Sequence, residues 1–264
     1  MNLALSDKIT LVTGASAGMG YACARVLAAE GARVVICSRD GERIEAAAGR
    51  IATETGVSAI PVVCDLTEGK AIREMVKGIF DQFGRLDILV SNAGGPPAGD
   101  FADLTPQLWE DAYNLTFQST LRLCQAALPI MEKQGGGVIL VITSIAAKQP
   151  IAGLVTSNAM RAGLNGLIKS IADEYGPKGI RANTIAPGYT RTERLYELAE
   201  GVAEREDTTI DEVFSRWEQI SPLRRLGLPE EIGAAVAFLA SERASFITGQ
   251  HLAVDGGAIR GTMG

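Results

Sequence analysis

The segment TGASAGMG at residues 13–20 decides how this chain folds. It joins an apolar run at residues 8–13 (KITLVT) to a stretch at residues 19–30 whose apolar residues recur at helical spacing. Glycines between a strand and a helix let the backbone turn sharply and approach a ligand, and the start of the helix offers free N–H groups. The segment therefore predicts a site for the phosphates of a dinucleotide, although the same glycines also suit a turn that only packs the helix onto the strand.

Strand and helix patterns alternate along the rest of the chain. We predict further strands at 33–38, 59–64, 87–91, 138–143, 180–185 and 251–254, and helices at 42–55, 68–83, 105–133, 153–174 and 229–241. The predicted strands are apolar almost throughout, which is typical of parallel strands covered by helices on both faces. This pattern predicts an α/β fold with a single Rossmann-type doubly wound parallel sheet, in which residues 1–264 form one domain. Residues 190–228 interrupt the alternation with two helical stretches, which predicts a substrate lid.

Composition and charge exclude several classes of protein. With 31 acidic and 25 basic residues the net charge is −6, which disfavours nucleic acid and membrane surfaces as partners and leaves a small molecule. His251 is the only histidine and the four cysteines show no CxxC spacing, so we expect neither a metal site nor a Ser-His-Asp triad. The chain begins without a charged leader and contains no apolar run long enough to cross a membrane, so we expect a cytoplasmic protein.

Further motifs follow the glycine-rich segment in a fixed order. They are CDLT at 64–67, LVSNAG at 89–94, Asn114, TS at 143–144, APGYTRT at 186–192 and FITGQHLAVDGG at 246–257. With these motifs the chain resembles the short-chain dehydrogenase/reductase family over essentially its whole length, and 3-oxoacyl carrier-protein reductases in particular. The resemblance implies an oxidoreductase that uses a nicotinamide cofactor on a carbonyl or alcohol substrate.

The resemblance also implies which residues hold that cofactor. They form four groups, which would line the pyrophosphate, the adenine, the ribose and nicotinamide side, and the opposite wall of the crevice. In that order the groups are Gly14, Ser16, Gly18, Met19 and Gly20; Asp65 and Leu66; Asn92, Ala93 and Gly94; and Pro187, Gly188, Thr190 and Thr192.

The end of the second predicted strand distinguishes the two nicotinamide cofactors. A carboxylate there binds the ribose 2′-hydroxyl of NAD, whereas a 2′-phosphate needs a cation. This chain has Ser38 and Arg39 at that place, so we predict NADP(H) in preference to NAD(H). Because Asp40 follows directly, an ordinary solvated surface charge is the alternative interpretation of Arg39.

The catalytic pattern of the family is only half present. In the family, a tyrosine and a lysine four residues later act with an upstream serine and a helix asparagine. Ser144 and Asn114 match the serine and the asparagine, but alignment of the flanking motifs puts Ser157 at the tyrosine position and Arg161 at the lysine position. Residues 157 and 161 are one helical turn apart and therefore face a common ligand, which by resemblance includes the cofactor ribose.

Ordinary Tyr-Lys catalysis is not available to this pair. An aliphatic hydroxyl is a far weaker acid than a phenol, whose pKa is about 10, and arginine does not shuttle protons. Three functions stay open: carbonyl reduction with Ser144 and Arg161 as electrostatic stabilisers, other chemistry on a carbonyl compound, and an NADP(H)-binding sensor or scaffold. Reduction is the function we expect, with its proton drawn from Lys148, Tyr189 or water held by Asn114.

The predicted helices at 106–133 and 153–174 are longer than the sheet needs. Members of the family commonly pack these helices, and the last strand, against further subunits. The resemblance therefore implies a homodimer or homotetramer, with neither stoichiometry nor symmetry decided by the sequence.

Overall fold

Seven parallel strands form one sheet within residues 2–261, the part of the chain that this computed structural model describes. The strands are β1 Ile9–Thr13, β2 Arg33–Ser38, β3 Ile60–Val63, β4 Ile88–Ser91, β5 Gly137–Ile142, β6 Ile180–Pro187 and β7 His251–Val254. Their order in the sheet is β3-β2-β1-β4-β5-β6-β7. The chain moves outward from β1 to β3, returns to place β4 beside β1, and then moves outward the other way. Such a reversal leaves a crevice beyond the carboxyl ends of β1 and β4.

Helices cover both faces of the sheet. They are α1 Gly18–Ala29, α2 Gly41–Thr55, α3 Gly69–Phe83, α4 Pro106–Ala112, α5 Ser119–Lys133, α6 Val155–Tyr175, α7 Glu193–Glu206, α8 Ile210–Ile220 and α9 Pro229–Ala240. One face buries α1, α2 and α9 against the sheet, and the other face buries α3, α5 and α6. The predicted α/β fold is confirmed, and apart from the helix expected at 105–133 each predicted element lies within two residues of its observed bounds.

That expected helix is interrupted at Tyr113–Gln118 by a π-helical segment. Two hydroxyls in the next turn bond to backbone carbonyls here: Ser119 Oγ donates to Leu115 O (2.5 Å) and Thr120 Oγ1 donates to Thr116 O (3.1 Å). Such bonds give the carbonyls an alternative to the α-helical ladder, and π segments widen a helix where they occur. The segment contains Asn114, so the backbone is distorted at a predicted site residue.

Residues 190–228 carry α7 and α8, which pack on each other around a small cluster of their own. The buried members are Ala199, Ala203 and Val213, and Phe214 and Trp217 pack against them. A capping box formed by Thr209 and Glu212 begins α8. Across residues 2–261, none of the helices combines the length and the apolar character that a membrane span requires.

Candidate functional site

A crevice of about 610 Å³ opens at the carboxyl ends of the central strands. It brings together almost all of the site residues predicted from the sequence, from Arg39 at one end to Arg161 at the other. Gly20 and Asn114 are the exceptions. Gly20 lies buried behind the glycine-rich loop, and Asn114 is half-buried in the π segment next to Leu115, which does line the crevice. Their roles, like those of the lining residues, stay predictions.

The glycine-rich loop is held to the end of β4 by a close set of hydrogen bonds. Thr13 Oγ1 donates to Asn92 O (2.8 Å) and accepts from Asn92 N (2.9 Å), while Asn92 Nδ2 donates to Gly14 O (3.0 Å). A Cβ on Gly14, whose φ is +58°, would lie 2.7 Å from Asn92 O, and one on Gly20 would lie 2.2 Å from Gly14 O. Neither position therefore accepts a side chain.

The start of α1 offers what a phosphate needs. Its N-cap residue is Ala17, which supplies no side-chain hydrogen bond, so the first N–H groups of the helix are left for another acceptor. The dipole of the helix adds a partial positive charge at the same place. The loop and the helix start thus form a cradle that fits the pyrophosphate of a dinucleotide.

The end of the crevice opposite Arg161 carries an unpaired cation. Arg39 is exposed and forms no ion pair with any residue in the range 2–261. The neighbouring Asp40 is engaged elsewhere, because its carboxylate caps α2 by accepting from Arg43 N (3.0 Å). Ser38 Oγ donates to Asp40 O (2.9 Å), which ties the strand end to the cap. Arg39 is therefore available for a ligand in spite of the acidic residue beside it.

Adenine-side residues predicted from the resemblance lie on the wall next to this cation. Asp65 accepts from Thr67 N (2.9 Å) and from Thr67 Oγ1 (2.8 Å), so its orientation is set by its own turn. Leu66 is buried and lines the crevice beside it. The pair forms a polar edge next to an apolar surface, which suits an aromatic base.

Sequence reasoning missed Arg43, which also lines this end. It lies in the first turn of α2, and its Nη2 reaches across the crevice to Glu193 Oε2 (2.7 Å) at the start of α7. One signal for it was present in the sequence, since it is a second arginine four residues after Arg39. Its acidic partner, 150 residues away, had no such signal.

Ser144 lies directly beyond β5, at the other end of the crevice. Its Oγ accepts a hydrogen bond from Ala146 N (3.1 Å) and so caps a short 3₁₀ turn. A hydroxyl that accepts in this way keeps its own hydrogen for a second partner. Ser144 thus caps the local turn and still has a donor for the crevice.

Ser157 and Arg161 lie one turn apart in the first half of α6, and each is only 8% exposed. Arg161 Nε donates to Ser157 Oγ (3.2 Å), and its Nη1 donates to Ile142 O (3.1 Å) and Thr143 O (3.0 Å) at the end of β5. Burial, and after it the nearby Arg194 cation, together lower the pKa of Arg161 to about 10. The guanidinium is therefore still charged at neutral pH.

Arg194, in the first turn of α7, is the second residue that sequence reasoning missed. Its Nη2 donates to Pro96 O (2.9 Å) and its Nη1 donates to Glu197 Oε2 (3.1 Å). The first bond joins α7 to the loop that follows β4, and both of those segments line the crevice. No sequence signal marked it, because 33 residues separate it from Arg161 and only the path of residues 190–228 brings the two cations to one crevice.

Comparison with known proteins places the chain in a family. A family model described as Enoyl-(Acyl carrier protein) reductase matches residues 14–258. The 3-oxoacyl-[acyl-carrier-protein] reductase FabG of Aquifex aeolicus is 35% identical over 257 residues, covering 97% of this chain and 99% of that protein. The chain belongs to the short-chain dehydrogenase/reductase (SDR) family. The resemblance stated from its motifs is confirmed, and with it the class of an oxidoreductase for carbonyl or alcohol substrates.

Two solved SDR structures share its fold and carry different cofactors. The L-sorbose reductase of Gluconobacter frateurii, in complex with NADPH and L-sorbose, superposes with a TM-score of 0.93 at 30% identity, covering 99% of this chain and all of that one. A 7α-hydroxysteroid dehydrogenase in complex with NADH and 7-oxo glycochenodeoxycholic acid has a TM-score of 0.88 at 35% identity, covering 98% and 97%. Relatives at this distance therefore do not decide the cofactor of this SDR protein.

The two alternative proton donors lie in different surroundings. Tyr189 lines the crevice and stacks on Trp217, with 4.9 Å between the ring centroids and 18° between the planes. Burial raises the pKa of its phenol, which makes it a poorer acid than a free tyrosine. Lys148 lies outside the crevice lining, near enough to His251 on the edge strand to lower the pKa of that imidazole. Of the two, Tyr189 lines the crevice and Lys148 does not.

Proposed function

We propose that this SDR protein is an NADP(H)-dependent oxidoreductase that acts on a carbonyl or alcohol substrate, 3-oxoacyl-like or another ketone, with a non-standard active site. The observation that carries the proposal is the hydrogen bond from Arg161 to Ser157 inside the crevice, on the side where Ser144 ends β5. A buried cation joined to a hydroxyl, with a second hydroxyl close by in the fold, is an arrangement that can polarise a carbonyl group.

The crevice fits a phosphorylated nicotinamide dinucleotide. The cradle formed by Gly14 and the start of α1 would hold the pyrophosphate, and the unpaired Arg39 would bind a 2′-phosphate with a charge-assisted hydrogen bond. Asp65 and Leu66 would flank the adenine. When bound, the cofactor supplies a hydride to the carbonyl carbon or accepts one from the alcohol. The preference for NADP(H) rests on Arg39, since the relatives include both an NADPH and an NADH complex.

Ser144 and Ser157 would act as donors to the substrate oxygen. Each Oγ already accepts a hydrogen bond, from Ala146 N and from Arg161 Nε respectively, so each hydroxyl hydrogen is left for the substrate. Two donors aimed at the oxygen stabilise the negative charge that develops there, and removing one such donor typically costs about 10²–10³ in kcat. Arg161 strengthens the effect, because a cation bonded to Ser157 Oγ makes that hydroxyl a better donor.

The proton that completes reduction would come from water. Ser157 is too weak an acid to end the step as an anion, so it has to regain a proton as it gives one up. Asn114 makes no side-chain hydrogen bond to any residue between 2 and 261, and it lies half-buried in the π segment beside crevice residue Leu115. It would hold the water that resupplies Ser157. Arg161 keeps its charge throughout and transfers no proton.

Residues 190–228 would form the lid of this single domain. Two contacts join the start of α7 to the rest of the chain across the crevice, Arg194 to Pro96 O and Arg43 to Glu193. Closing a site in this way excludes water and strengthens the electrostatic contacts inside it. We expect the protein to assemble as a homodimer or homotetramer through α5, α6 and β7, which light scattering on the purified protein would measure.

Cofactor titration and a substrate panel test the proposal together. Fluorescence titration should show saturable binding of NADPH and NADH, with NADPH tighter. Absorbance at the nicotinamide band should then report turnover with ketones, 3-oxoacyl thioesters or secondary alcohols. Ser144→Ala should lower kcat by about 10²-fold and leave NADPH binding unchanged. Saturable NADPH binding without turnover on any compound would contradict the enzymatic function and favour an NADP(H)-binding sensor or scaffold.

A further inference from the structure

Arg161 is a buried cation without an anionic partner. Its side chain reaches no carboxylate within 4 Å among residues 2–261, although the residue is only 8% exposed. Its three hydrogen bonds go to one hydroxyl and two backbone carbonyls, all of them neutral. Placing a charge away from water without a counterion is costly, so proteins normally pair such groups. The missing anion points to a ligand.

The free part of the guanidinium reaches the crevice. Nε donates once and Nη1 donates twice, which uses three of the five N–H groups and leaves both on Nη2. In the described part of the chain, Thr116 Oγ1 is the one side-chain nitrogen or oxygen that is both inaccessible to solvent and without a hydrogen-bond partner. Arg161 Nη2 also lacks a partner, so it must be accessible to solvent. Because Arg161 lines the crevice, its open N–H groups are available to a ligand there. The cofactor ribose that the resemblance implies at this position is neutral and would not supply the missing anion.

Arg194 places a second positive charge on the same crevice, close enough to lower the pKa of Arg161. Its Nη1 pairs with Glu197 and its Nη2 donates to Pro96 O, which leaves three of its five N–H groups for a ligand.

The acidic residues that line the crevice have partners of their own. Glu193 pairs with Arg43, Glu197 pairs with Arg194, Asp65 accepts from Thr67, and Asp40 accepts from Arg43 N. None of these contacts neutralises Arg161, so the counterion is not supplied by the lining of the crevice.

The cofactor phosphates do not fill this role either. Arg161 is anchored to the carbonyls at the end of β5, and β4 separates β5 from β1. Two strand spacings of about 4.8 Å separate β5 from β1. The β5 carbonyls that hold Arg161 therefore lie about 10 Å from the cradle at the start of α1. A 2′-phosphate beside Arg39 lies farther still, because β2 is beyond β1 in the sheet.

We propose that the substrate of this protein carries a carboxylate, which binds Arg161 Nη2 on the side of the crevice that Arg194 also lines. The inference rests on the proposed function, since it takes the carbonyl compound as the ligand and adds a charge to it. A carboxylate, which accepts through two oxygens, matches the two N–H groups that Nη2 leaves free. Leu115, Ile151 and Leu154 line the crevice as well and would pack on the carbon skeleton of an oxo acid.

Matched ligand pairs test this assignment on the unmodified protein. The NADP⁺-loaded protein, which cannot reduce a ketone, is titrated with a 2-oxo, a 3-oxo and a 4-oxo acid and with the methyl ester of each. Trp217, stacked on crevice residue Tyr189, gives a fluorescence signal, and calorimetry checks it. We expect at least one acid to bind 10-fold or more tightly than its ester. An ester that binds as well as its acid in all three pairs overturns the proposal.

Four variants locate the charge. Arg194→Gln should reduce the preference for acid over ester at least threefold, and Arg194→Lys should restore it. Arg191→Gln is the matched control, because Arg191 belongs to the same segment but lies outside the crevice lining and pairs with Glu218 (3.4 Å). If Arg194→Gln and Arg191→Gln reduce the preference for acid over ester equally, the effect is one of general charge, and the assignment is overturned. Arg161→Gln, where it folds, should abolish the preference.

The outcome also separates this inference from the proposed function. Loss of NADPH binding in the unmodified protein would overturn the proposed function itself. Tight NADPH binding with equally fast reduction of ester and acid would leave that function standing and overturn only the carboxylate.

Discussion

The two ends of the crevice are built on different principles. At the phosphate end the backbone forms the site, with Gly14 and Gly20 packed so closely that a Cβ would lie 2.7 Å and 2.2 Å from a carbonyl oxygen. At the carbonyl end side chains form the site, with Ser144, Ser157 and Arg161 placed by hydrogen bonds. A backbone cradle allows no substitution, whereas hydroxyl and guanidinium groups can be exchanged while the fold persists.

On the proposed function, this difference would explain how the chain keeps the family fold while it uses a different set of catalytic groups. The glycine-rich loop is joined to β4 through Asn92, so any change there disturbs two central strands at once. Ser157 and Arg161 lie on one side of α6, and their bonds reach only the end of β5. We therefore expect changes at Ser157 and Arg161 to alter the reaction, and changes in the glycine-rich loop to alter cofactor binding.

The largest effect is expected at the phosphate end. Gly20→Ala places a methyl group against Gly14 O and should lower the free energy of unfolding by about 3 kcal/mol. We expect NADPH binding to be lost at concentrations that saturate the unmodified protein. Gly49→Ala is the control, because nothing lies within 4 Å of a Cβ at this helical position, and it should raise stability by about 0.5–1 kcal/mol. Denaturant unfolding measures the stability of the two variants, and fluorescence titration measures their NADPH binding. A Gly20→Ala protein that is stable and binds NADPH would contradict the distinction between the two ends.

The next effect concerns the substituted pair. Ser157→Tyr combined with Arg161→Lys supplies the phenol and the lysine of the family pattern at the spacing that α6 already provides. A positioned general acid typically contributes 10²–10⁴ in rate, so kcat on a neutral ketone should rise about 10²-fold. NADPH affinity should stay the same, because the phosphate end is untouched.

Arg161→Lys alone is the control for the pair. It lacks the phenol and should therefore gain no reductase activity on the neutral ketone. If the double variant instead loses an activity that the unmodified protein shows, the Ser157–Arg161 pair performs a chemistry of its own.

A smaller effect is expected at Arg39, beside the residues predicted to bind the adenine. Arg39→Gln removes the unpaired cation and should weaken NADPH binding about 10-fold, the lower range for a charge-assisted hydrogen bond at an exposed site. NADH, which has no 2′-phosphate, should bind as before. Arg33→Gln, at the other end of β2 and paired with Asp7 (3.2 Å), should change neither titration. Equal weakening of both cofactors by Arg39→Gln would show that Arg39 does not select NADP(H).

The smallest effect concerns the contact between α2 and α7. Glu193→Gln releases Arg43, which can then turn toward a 2′-phosphate at the same end of the crevice. Both side chains are more than half exposed, and surface ion pairs are worth about 0.2–1 kcal/mol, so NADPH should bind about two- to threefold more tightly. Glu204→Gln on the same helix has no partner in the described chain and serves as the control. Weaker NADPH binding in Glu193→Gln would mean that the bridge supports the site.

Local patterns along the chain were enough to predict the elements and to mark the loop where we expect the cofactor phosphates. Apolar periodicity located the strands and most helices, and the glycines of residues 13–20 marked the loop, because both signals depend on neighbours in sequence. The i, i+4 spacing of Ser157 and Arg161 predicted that the two lie on one side of a helix, and the hydrogen bond between them shows that they lie together. That they face one ligand stays a prediction. Only the π segment at Tyr113–Gln118 escaped, since hydroxyl bonds to carbonyls override the helical pattern there.

Contacts between distant segments needed the tertiary structure. Arg194 approaches Arg161, and Arg43 meets Glu193, only because residues 190–228 pack over the crevice. The burial of Arg161 also depends on tertiary packing. The sequence shows only that residue 161 is an arginine. Packing of α6 against the end of β5 places its charge away from water, beside neutral partners. The amino-acid order by itself determined which chemical groups the crevice contains, and packing decided which of those groups are left without a partner, because solvation and distance are properties of the folded chain.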